Sequence, residues 1–388
     1  MSQTTNEAGE AQVTVTSDSA IRRTNPLLLV GLTFIASRAM MALIGVISAV
    51  HNGDTLEVAA GHWDVGHFVR IATDGYADLT ETAFFPGLPL LLRLANSLGI
   101  PMVLFGCLVS MVASWFAALA LLRLYGPMAA CLWLIAPPAV FTMIPYTEAL
   151  FCAAAFWAWE RAKADRWGWA ATFAALSCTL RISGLFLWGA LGLLAISQIR
   201  LKNDPDWLGG FCKKVAWLLL PLAVLGGYEL YLHSLTGSWT TWLDAQQSGW
   251  ARSFTSPWRS LQRTLEAGHF AYWPGRPDVA IMFRIEVLAM AIGLAATLIC
   301  AWQKRLGEFG WVGIHVIAFG TSTWYISASR AVLLWFPLYS LLAQLTTWTP
   351  KNPRAKLCWR CLIVLGIAIS AIGMCIWAWL FFNGKWSS

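Results

Sequence analysis

The sequence predicts an all-α, polytopic transmembrane protein with about eleven spans, and three observations predict it. The 388 residues are 58% hydrophobic and only 12% charged, whereas soluble domains are about a quarter charged. Apolar runs such as 25–50 and 357–382 are long enough to cross the hydrocarbon core, which takes about 20 helical residues. These runs show no alternation of the kind found in barrels, and backbone groups in a bilayer must satisfy one another, so we expect helices.

The predicted spans follow one another closely along most of the chain. They are about 26–50, 101–123, 127–144, 147–161, 168–181, 184–200, 215–233, 279–303, 308–326, 331–348 and 357–382. The polar start of the chain, residues 1–24, is expected to be a disordered cytoplasmic tail because it is rich in Ser, Thr and Glu. Residues 25–388 are expected to form a single transmembrane domain.

The distribution of Lys and Arg sets the orientation of these spans. Arg22 and Arg23 precede the first span and place the N-terminus in the cytoplasm. Every second loop then lies inside, and these inner loops hold all but one of the lysines. The net charge of +7 therefore follows from topology, and no nucleic-acid partner is expected. Only two external segments are long, at about 51–100 and 234–278.

The first external loop carries an acidic residue and a histidine at helical spacing. Asp64 and His67 are three residues apart, so a helix would place them on one face, and Gly75 is expected to end that helix. Phe68 and Ile71 are expected on the membrane surface. The apolar, proline-containing stretch 83–93 is too short to span comfortably and is predicted to be a re-entrant or interfacial helix.

Nine arginines fall on the predicted external side, although most Lys and Arg of a membrane protein lie in its inner loops. They are Arg70, Arg93, Arg181, Arg252, Arg259, Arg263, Arg276, Arg284 and Arg330. Arg181 and Arg330 each lie at the outer end of a span, where a guanidinium either snorkels or pairs with a carboxylate, or binds a phosphate bidentately. Glu148, in a short external turn, is either a helix-capping acid or a ligand-binding group.

Histidines and aromatic residues complete the external chemistry. His62 and His67 flank Asp64 and could in principle ligate a divalent ion with it. No DxD pair is present, since Asp64 and Asp74 are ten residues apart, so no metal is indicated. The second loop is rich in aromatic rings that suit either an interfacial belt or sugar stacking. They are Trp239, Trp242, Trp250, Trp258, Tyr272 and Trp273.

Several of these motifs resemble those of the PIG-V-type mannosyltransferases, in the same order, over about residues 26–348. In the first loop, the Trp-Asp pair, the "IA..GY" run and the "FFP..P" segment of that family are similar to Trp63-Asp64, residues 71–76 and residues 83–93. The family's "PY[ST]E" turn is similar to residues 145–148.

Two further elements of the family occur with departures. The "TR..G" element resembles residues 180–184, with Leu180 in place of the usual Thr. The C-terminal "R…FPL" element resembles Arg330 followed by residues 336–338, without the Tyr often found after the Arg.

The resemblance implies a GT-C-type glycosyltransferase, of a compact bacterial kind, at the cell membrane. It implies transfer of mannose, with inversion, from a polyprenyl-phosphate-mannose donor to a hydroxyl of a lipid or glycolipid acceptor on the extracytoplasmic face, without a cofactor. Asp64 would be the general base. The residues expected at the donor phosphate or sugar are His67, Arg181, Arg330 and Trp63. The residues expected at the acceptor or sugar are Glu148, Tyr146, His62 and Asp74.

Three alternatives remain at this point. The first is a related enzyme that uses another lipid-linked sugar, such as glucose or arabinose. The second is a transporter or flippase, although the sequence shows no convincing repeat and its charges gather at the outer rim rather than at the midplane. The third is a non-catalytic membrane scaffold, which would not need an acid, histidines and arginines on one face.

Overall fold

The computed structural model describes residues 25–201 and 207–387, and this part of the chain is almost entirely helical. Its α-helices, numbered in chain order, are α1 Pro26–Asn52, α2 Leu56–Ala60, α3 Asp64–Asp74, α4 Gly87–Ser97, α5 Met102–Tyr125, α6 Pro127–Leu134, α7 Thr147–Lys163, α8 Trp167–Cys178, α9 Ser183–Leu201, α10 Trp207–Thr236, α11 Thr241–Trp250, α12 Pro257–Ala267, α13 Pro277–Trp302, α14 Leu306–Gly320, α15 Ala328–Ala331, α16 Phe336–Thr347 and α17 Pro353–Phe382. Short 3₁₀ segments are Leu79–Ala83, Pro137–Thr142, Phe270–Tyr272 and Val332–Leu334.

The all-α prediction is confirmed. Within the described ranges no β-strand is formed, and a single isolated bridge pairs Phe254 with Ser322. The predicted tail, residues 1–24, lies outside the described residues.

Five helices in this part of the chain are long and apolar enough to cross a membrane. They are α1, α5, α10, α13 and α17, and a sixth span results if the pair 328–334 and 336–347, bent by 72°, is counted as one. Large apolar side chains on these helices point outward, including Leu32, Leu108 and Leu365, each more than half exposed. The chain is therefore a multi-pass membrane protein, as predicted.

The predicted count of eleven spans is not confirmed, because several predicted spans form short or broken helices. The span at 127–144 ends as α6 at Leu134 and continues as a 3₁₀ segment. Pro137 and Pro138 lie at that break, where a proline removes a backbone donor and clashes with the preceding turn. The helices α8 and α14 have 12 and 15 residues, which is less than a full crossing.

The break between α15 and α16 lies deep in the bundle. Carbonyl groups at the break accept hydrogen bonds from tryptophan indoles. The Trp133 side chain donates to the Leu333 carbonyl oxygen at 2.9 Å, and Trp311 donates to that of Leu334 at 2.9 Å. Both tryptophans are fully buried. Irregular backbone in a membrane protein needs such partners, since water does not supply them there. These bonds fix the segment that carries Arg330.

The predicted first external loop folds as α2, α3, the 3₁₀ segment 79–83 and α4. The predicted helix stop is confirmed, because α3 ends at Gly75, whose φ is 81°. The expectation for Phe68 and Ile71 is wrong: each is only 3% exposed. Phe68 packs against Leu88 and Leu92 of α4, so this side of α3 is covered by protein rather than by lipid.

The predicted first external loop packs against the predicted second one and against α10. The Trp242 indole of α11 donates to the Ala83 carbonyl at 3.3 Å, and the Tyr228 hydroxyl donates to the carbonyls of Thr82 and Phe84, both at 2.9 Å. At the start of α4, the Gly87 N–H donates to the Thr179 carbonyl at 2.7 Å. This contact holds the turn after α8 against the first loop.

The helix α7 separates two charged regions of the bundle. Glu148 lies in its first turn, and Arg161 and Lys163 lie in its last. Twelve residues of helix between positions 148 and 160 correspond to about 18 Å. At the far end, the Glu160 carboxylate pairs with Arg123 and Arg161. Lys163 and Arg305 both pair with Glu308. Most of the predicted inner-loop cations in this region therefore cluster at one end of α7.

We expect the substitution Gly87→Ala to destabilise the fold by about 1–3 kcal/mol, as overpacking commonly does. An added Cβ at this position would lie 2.7 Å from the Thr179 carbonyl oxygen, so backbone must move. The matched control is Gly192→Ala in α9, where a Cβ meets nothing within 4 Å and alanine favours helix. Unfolding midpoints of the purified proteins in detergent test this, and equal midpoints for both variants would contradict it.

Candidate active site

The centre of the site is an ion pair between α3 and α15. Arg330 Nη1 lies 2.9 Å from Asp64 Oδ2, and Arg330 Nη2 donates to the Ser327 hydroxyl at 3.0 Å. The same guanidinium carbon lies 5.3 Å from the ring centroids of both Phe141 and Tyr146, which is cation–π distance. The position of Arg330 is thus fixed by charge, hydrogen bonding and aromatic contact together.

A second carboxylate extends this pair into a network of alternating charge. Glu148 is completely buried, and its Oε1 lies 2.6 Å from Arg181 Nη1 and 3.7 Å from Arg330 Nε. Arg181 Nη1 also donates to the Thr147 hydroxyl at 3.1 Å. A buried charge is tolerated when it is paired in this way. Glu148 therefore holds two guanidinium groups side by side.

Backbone geometry presents Asp64 at the first position of α3. The Tyr146 hydroxyl oxygen accepts a hydrogen bond from the Asp64 N–H at 3.2 Å, which satisfies one of the free donors at the start of the helix. Trp63, just before it, has a φ of 61°, a conformation that non-glycine residues rarely adopt. The positive end of the helix dipole favours a carboxylate here.

The segment that carries Arg330 is held by a buried carboxylate from α13. Glu286 accepts from the N–H groups of Ser327 and Ser329 at 3.0 and 2.6 Å, and from the Ser329 hydroxyl at 3.0 Å. Ser327 has a φ of 69°. Strained backbone of this kind persists where its surroundings fix it, and Glu286 supplies that restraint.

A first cavity, here called the arginine cavity, has a volume of about 140 Å³ and is walled by Arg181, Arg252 and Arg330 beside Asp64. Arg252 Nη2 donates to the Ile326 carbonyl at 2.6 Å. Burial, and then the nearby Arg330 guanidinium, lower the pKa of Arg252 to about 10, so it is still charged at neutral pH. Three guanidinium groups, against the two carboxylates of Asp64 and Glu148 that pair with them, favour an anion such as phosphate.

A second cavity, here called the tryptophan cavity, has a volume of about 370 Å³. Trp63, Trp250, Trp386 and His67 line it, and Asp64 and Arg330 line it as well. The Trp63 and Trp386 rings meet edge to face with centroids 5.3 Å apart. The predicted placement of Asp64 and His67 on one side of a helix is confirmed, because both face this cavity.

His67 is packed between aromatic rings and a guanidinium. Its imidazole stacks on the Phe84 ring at 4.8 Å, and its Nδ1 lies 2.8 Å from Arg70 Nη2. Burial, followed by the charge of Arg70, lowers the pKa of His67 below its ordinary value of 6.5. The ring is therefore neutral at physiological pH.

The structure gathers most, though not all, of the residues singled out in the sequence. Those in the charge network or bonded to it are Asp64, Tyr146, Glu148, Arg181 and Arg330, and Trp63 and His67 join them at the tryptophan cavity.

Two predicted residues lie away from both cavities. His62 packs against the Phe381 ring, with centroids 6.2 Å apart. Asp74 is exposed at the opposite end of α3, about 15 Å along the helix from Asp64. In the described residues no group of three His, Cys, Asp or Glu side chains is placed to hold a metal ion.

Three residues at the cavities are not distinguished by the sequence from others of their kind. Arg252 and Trp250 belong to sets that the sequence shows, the external arginines and the aromatic second loop, but nothing in those sets distinguishes them from their neighbours. Trp386 lies in a short stretch after the last span that matches no pattern. All three reach the site through tertiary packing alone.

We expect Arg181→Met to destabilise the protein by about 3–5 kcal/mol, because it removes the closer partner of the buried Glu148. Adding Glu148→Gln to that variant should recover part of the loss, since the uncompensated charge is then gone. Unfolding midpoints of both single variants and the double variant in detergent measure this coupling. Additive losses would show that Arg181 and Glu148 act independently.

We expect His67 to make the protein less stable in mild acid. Because its pKa is lowered in the folded state, protonation favours unfolding, and stability falls as pH drops below about 6.5. Unfolding midpoints from pH 8 to pH 5 should therefore fall more steeply for the wild type than for His67→Gln. Parallel curves for the two proteins would contradict the expectation.

Comparison with known proteins gives a match over the part of the chain that contains Asp64, Glu148 and Arg181. Residues 36–201 match the family model described as Mannosyltransferase (PIG-V). This match covers less than half of the chain and does not include Arg252, Arg330 or Trp386.

Curated relatives agree with this match. The chain is 35% identical to the mouse GPI alpha-1,6-mannosyltransferase 2 over 176 residues, which are 40% of this chain and 33% of the relative. It is 32% identical to the rat protein of that name over 207 residues, 45% of this chain and 41% of the relative. The human protein is 35% identical over 156 residues, 35% of this chain and 31% of the relative.

The chain thus spans less than half the length of the curated relatives it matches. The resemblance that the motifs predict is confirmed: over residues 36–201 the chain is PIG-V-like in sequence.

Proposed function

We propose that the protein is a membrane mannosyltransferase. It moves mannose from a polyprenyl-phosphate-mannose donor to a hydroxyl of a lipid or glycolipid acceptor on the extracytoplasmic face. One observation carries the proposal: Asp64 and Arg330, with Trp250 and Ser327, form the common wall of the arginine cavity and the tryptophan cavity. A transferase needs such a wall, because its base must reach the acceptor while a cation reaches the leaving group.

The arginine cavity suits the phosphate of the donor. The phosphate gains negative charge as the sugar leaves, and fixed guanidinium groups stabilise that charge in the transition state. Arg181 and Arg330 are held by Glu148, and Arg252 by a carbonyl group, so little reorganisation is needed.

An apolar groove supports a donor that is carried on a lipid. Leu180 lines the arginine cavity and also a groove of about 1,040 Å³ along α5, α7 and α8. The groove is walled by residues such as Val112, Phe116 and Trp169, each about half exposed or more. A charged headgroup in the cavity and a hydrocarbon chain in the groove fit this continuity.

The proposed reaction is an inverting displacement. The acceptor hydroxyl oxygen forms a bond to the anomeric carbon while the Asp64 carboxylate takes its proton. The bond from that carbon to the phosphate oxygen breaks, and its electron pair leaves with the polyprenyl phosphate. A positioned base of this kind typically contributes about 10²–10⁴-fold to the rate. Attack from the face opposite a β-linked phosphate gives an α-mannoside.

The charge distribution along α7 supports the proposed side of the membrane for the active site. Glu148 and the site lie at one end of the helix, and Arg161 and Lys163 lie at the other. Cytoplasmic ends of spans carry the excess of Lys and Arg. This distribution supports an active site at the extracytoplasmic end, where the donor would be lipid-linked because nucleotide sugars are cytoplasmic.

We expect Asp64→Asn to lose at least about 100-fold in transfer while it still binds donor. The assay follows radiolabelled mannose from polyprenyl-phosphate mannose into a membrane lipid extract, with the protein in nanodiscs. Asp74→Asn is the matched control, because this carboxylate lies on the same helix but on neither cavity. Its transfer should stay within about twofold of the wild type.

The other possible outcomes of this assay distinguish the alternative functions. Equal transfer by the wild type and Asp64→Asn would remove Asp64 from the mechanism. Transfer only from a polyprenyl-phosphate glucose or arabinose donor would identify a different sugar. Movement of labelled donor across a vesicle membrane, without a new glycolipid, would identify a transporter.

A further inference from the structure

The residues after α17 fold back onto the first external loop. The Trp386 N–H donates to Asp278 Oδ2 at 3.3 Å, and the Trp377 indole donates to the Ser387 carbonyl at 2.9 Å. Gly384, with a φ of 63°, makes the turn that permits this return. The Trp386 ring is thereby placed against Trp63, the residue before Asp64.

This return gives the tryptophan cavity its third indole. Trp63 precedes α3, Trp250 ends α11 and Trp386 follows α17, so three distant parts of the chain supply rings to one space. Apart from Gly249 and Ile326 the remaining wall is polar, since Thr80, Ser327 and Ser387 line it with His67, Asp64 and Arg330. Flat rings bind the C–H faces of a sugar, and polar groups bind its hydroxyls, so the wall matches a glycosyl unit.

The residues that line the tryptophan cavity do not suit the other two candidate ligands, a phosphate and a bare hydrocarbon chain. A phosphate would be drawn to the arginine cavity, which has three guanidinium groups against the single Arg330 here. A bare hydrocarbon chain would favour the apolar groove beside Leu180, where Arg161 and Arg166 are its charged residues. The tryptophan cavity is also more than twice the volume of the arginine cavity, at about 370 against about 140 Å³.

We propose that the tryptophan cavity is the acceptor site, that it takes a glycosyl ring of a glycolipid, and that Trp386 positions that ring beside Asp64. The proposal rests on the proposed function for the direction of transfer. It adds the place at which the acceptor binds and a residue, outside the PIG-V-like segment, that contacts the acceptor there.

The first test separates the two substrates kinetically. With octyl α-mannoside as acceptor and polyprenyl-phosphate mannose as donor, Trp386→Ala should raise the acceptor KM about tenfold, the order expected for one lost aromatic contact. The donor KM should stay within about twofold. Trp386→Phe should keep the acceptor KM within about threefold of the wild type, because it retains a ring.

A matched control is Trp258→Ala on α12, whose ring is 73% exposed and lines neither cavity. It should leave both KM values unchanged. The proposal is overturned if Trp386→Ala raises the donor KM alone, if it changes neither KM, or if Trp258→Ala reproduces its effect. A rise of the acceptor KM in Trp386→Phe as large as that in Trp386→Ala would likewise overturn it, because the aromatic ring would then not matter.

A binding measurement keeps this proposal distinct from the proposed reaction. Saturation-transfer NMR in nanodiscs would compare octyl α-mannoside with 1-octanol on Asp64→Asn and on the same variant with Trp386→Ala. We expect sugar protons to show contact that depends on Trp386, while 1-octanol shows no such dependence. If the sugar contacts the cavity but the wild type transfers no mannose, the proposed acceptor site stands and the proposed reaction is rejected. Transfer by the wild type with Trp386-independent sugar contact would keep the reaction and reject the site.

Discussion

The ion pair between Asp64 and Arg330 is the interaction on which the site depends. Its partners are 266 positions apart in sequence, and each follows closely a residue with a positive φ, Trp63 in one case and Ser327 in the other. Neither backbone conformation is favourable by itself. The pair joins the start of α3 to the segment before the break between α15 and α16, and both of its residues line both cavities.

The neighbouring charges explain how such a pair is kept ready for an anion. Glu148 binds Arg181 closely and Arg330 at longer range, so the guanidinium groups stay together despite their mutual repulsion. Asp64 and Arg330 line both cavities, so this set of paired charges forms part of the wall of each. Ionic groups that pair with one another in a low-dielectric setting hold a fixed arrangement.

Local signals in the sequence predict a large part of this arrangement. Hydrophobic runs predict the long helices, and the spacing of Asp64, His67 and Gly75 predicts α3 and its end. Local patterns do not predict which helices break or which loops pack together. The prolines at 137 and 138 stop one predicted span, and Phe68 turns to α4 rather than to lipid. Arg252 and Trp386 arrive through contacts between segments far apart in sequence.

The apolar groove beside Leu180 has a consequence for how substrate reaches the protein. It runs along α5, α7 and α8 and is walled by exposed apolar side chains, so a lipid-linked molecule that uses it would arrive by diffusion within the bilayer. Its encounter is two-dimensional, and the effective concentration is its mole fraction among the surrounding lipids. Diluting vesicles in buffer would leave such a reaction unchanged, whereas diluting the same molecule with inert lipid would slow it.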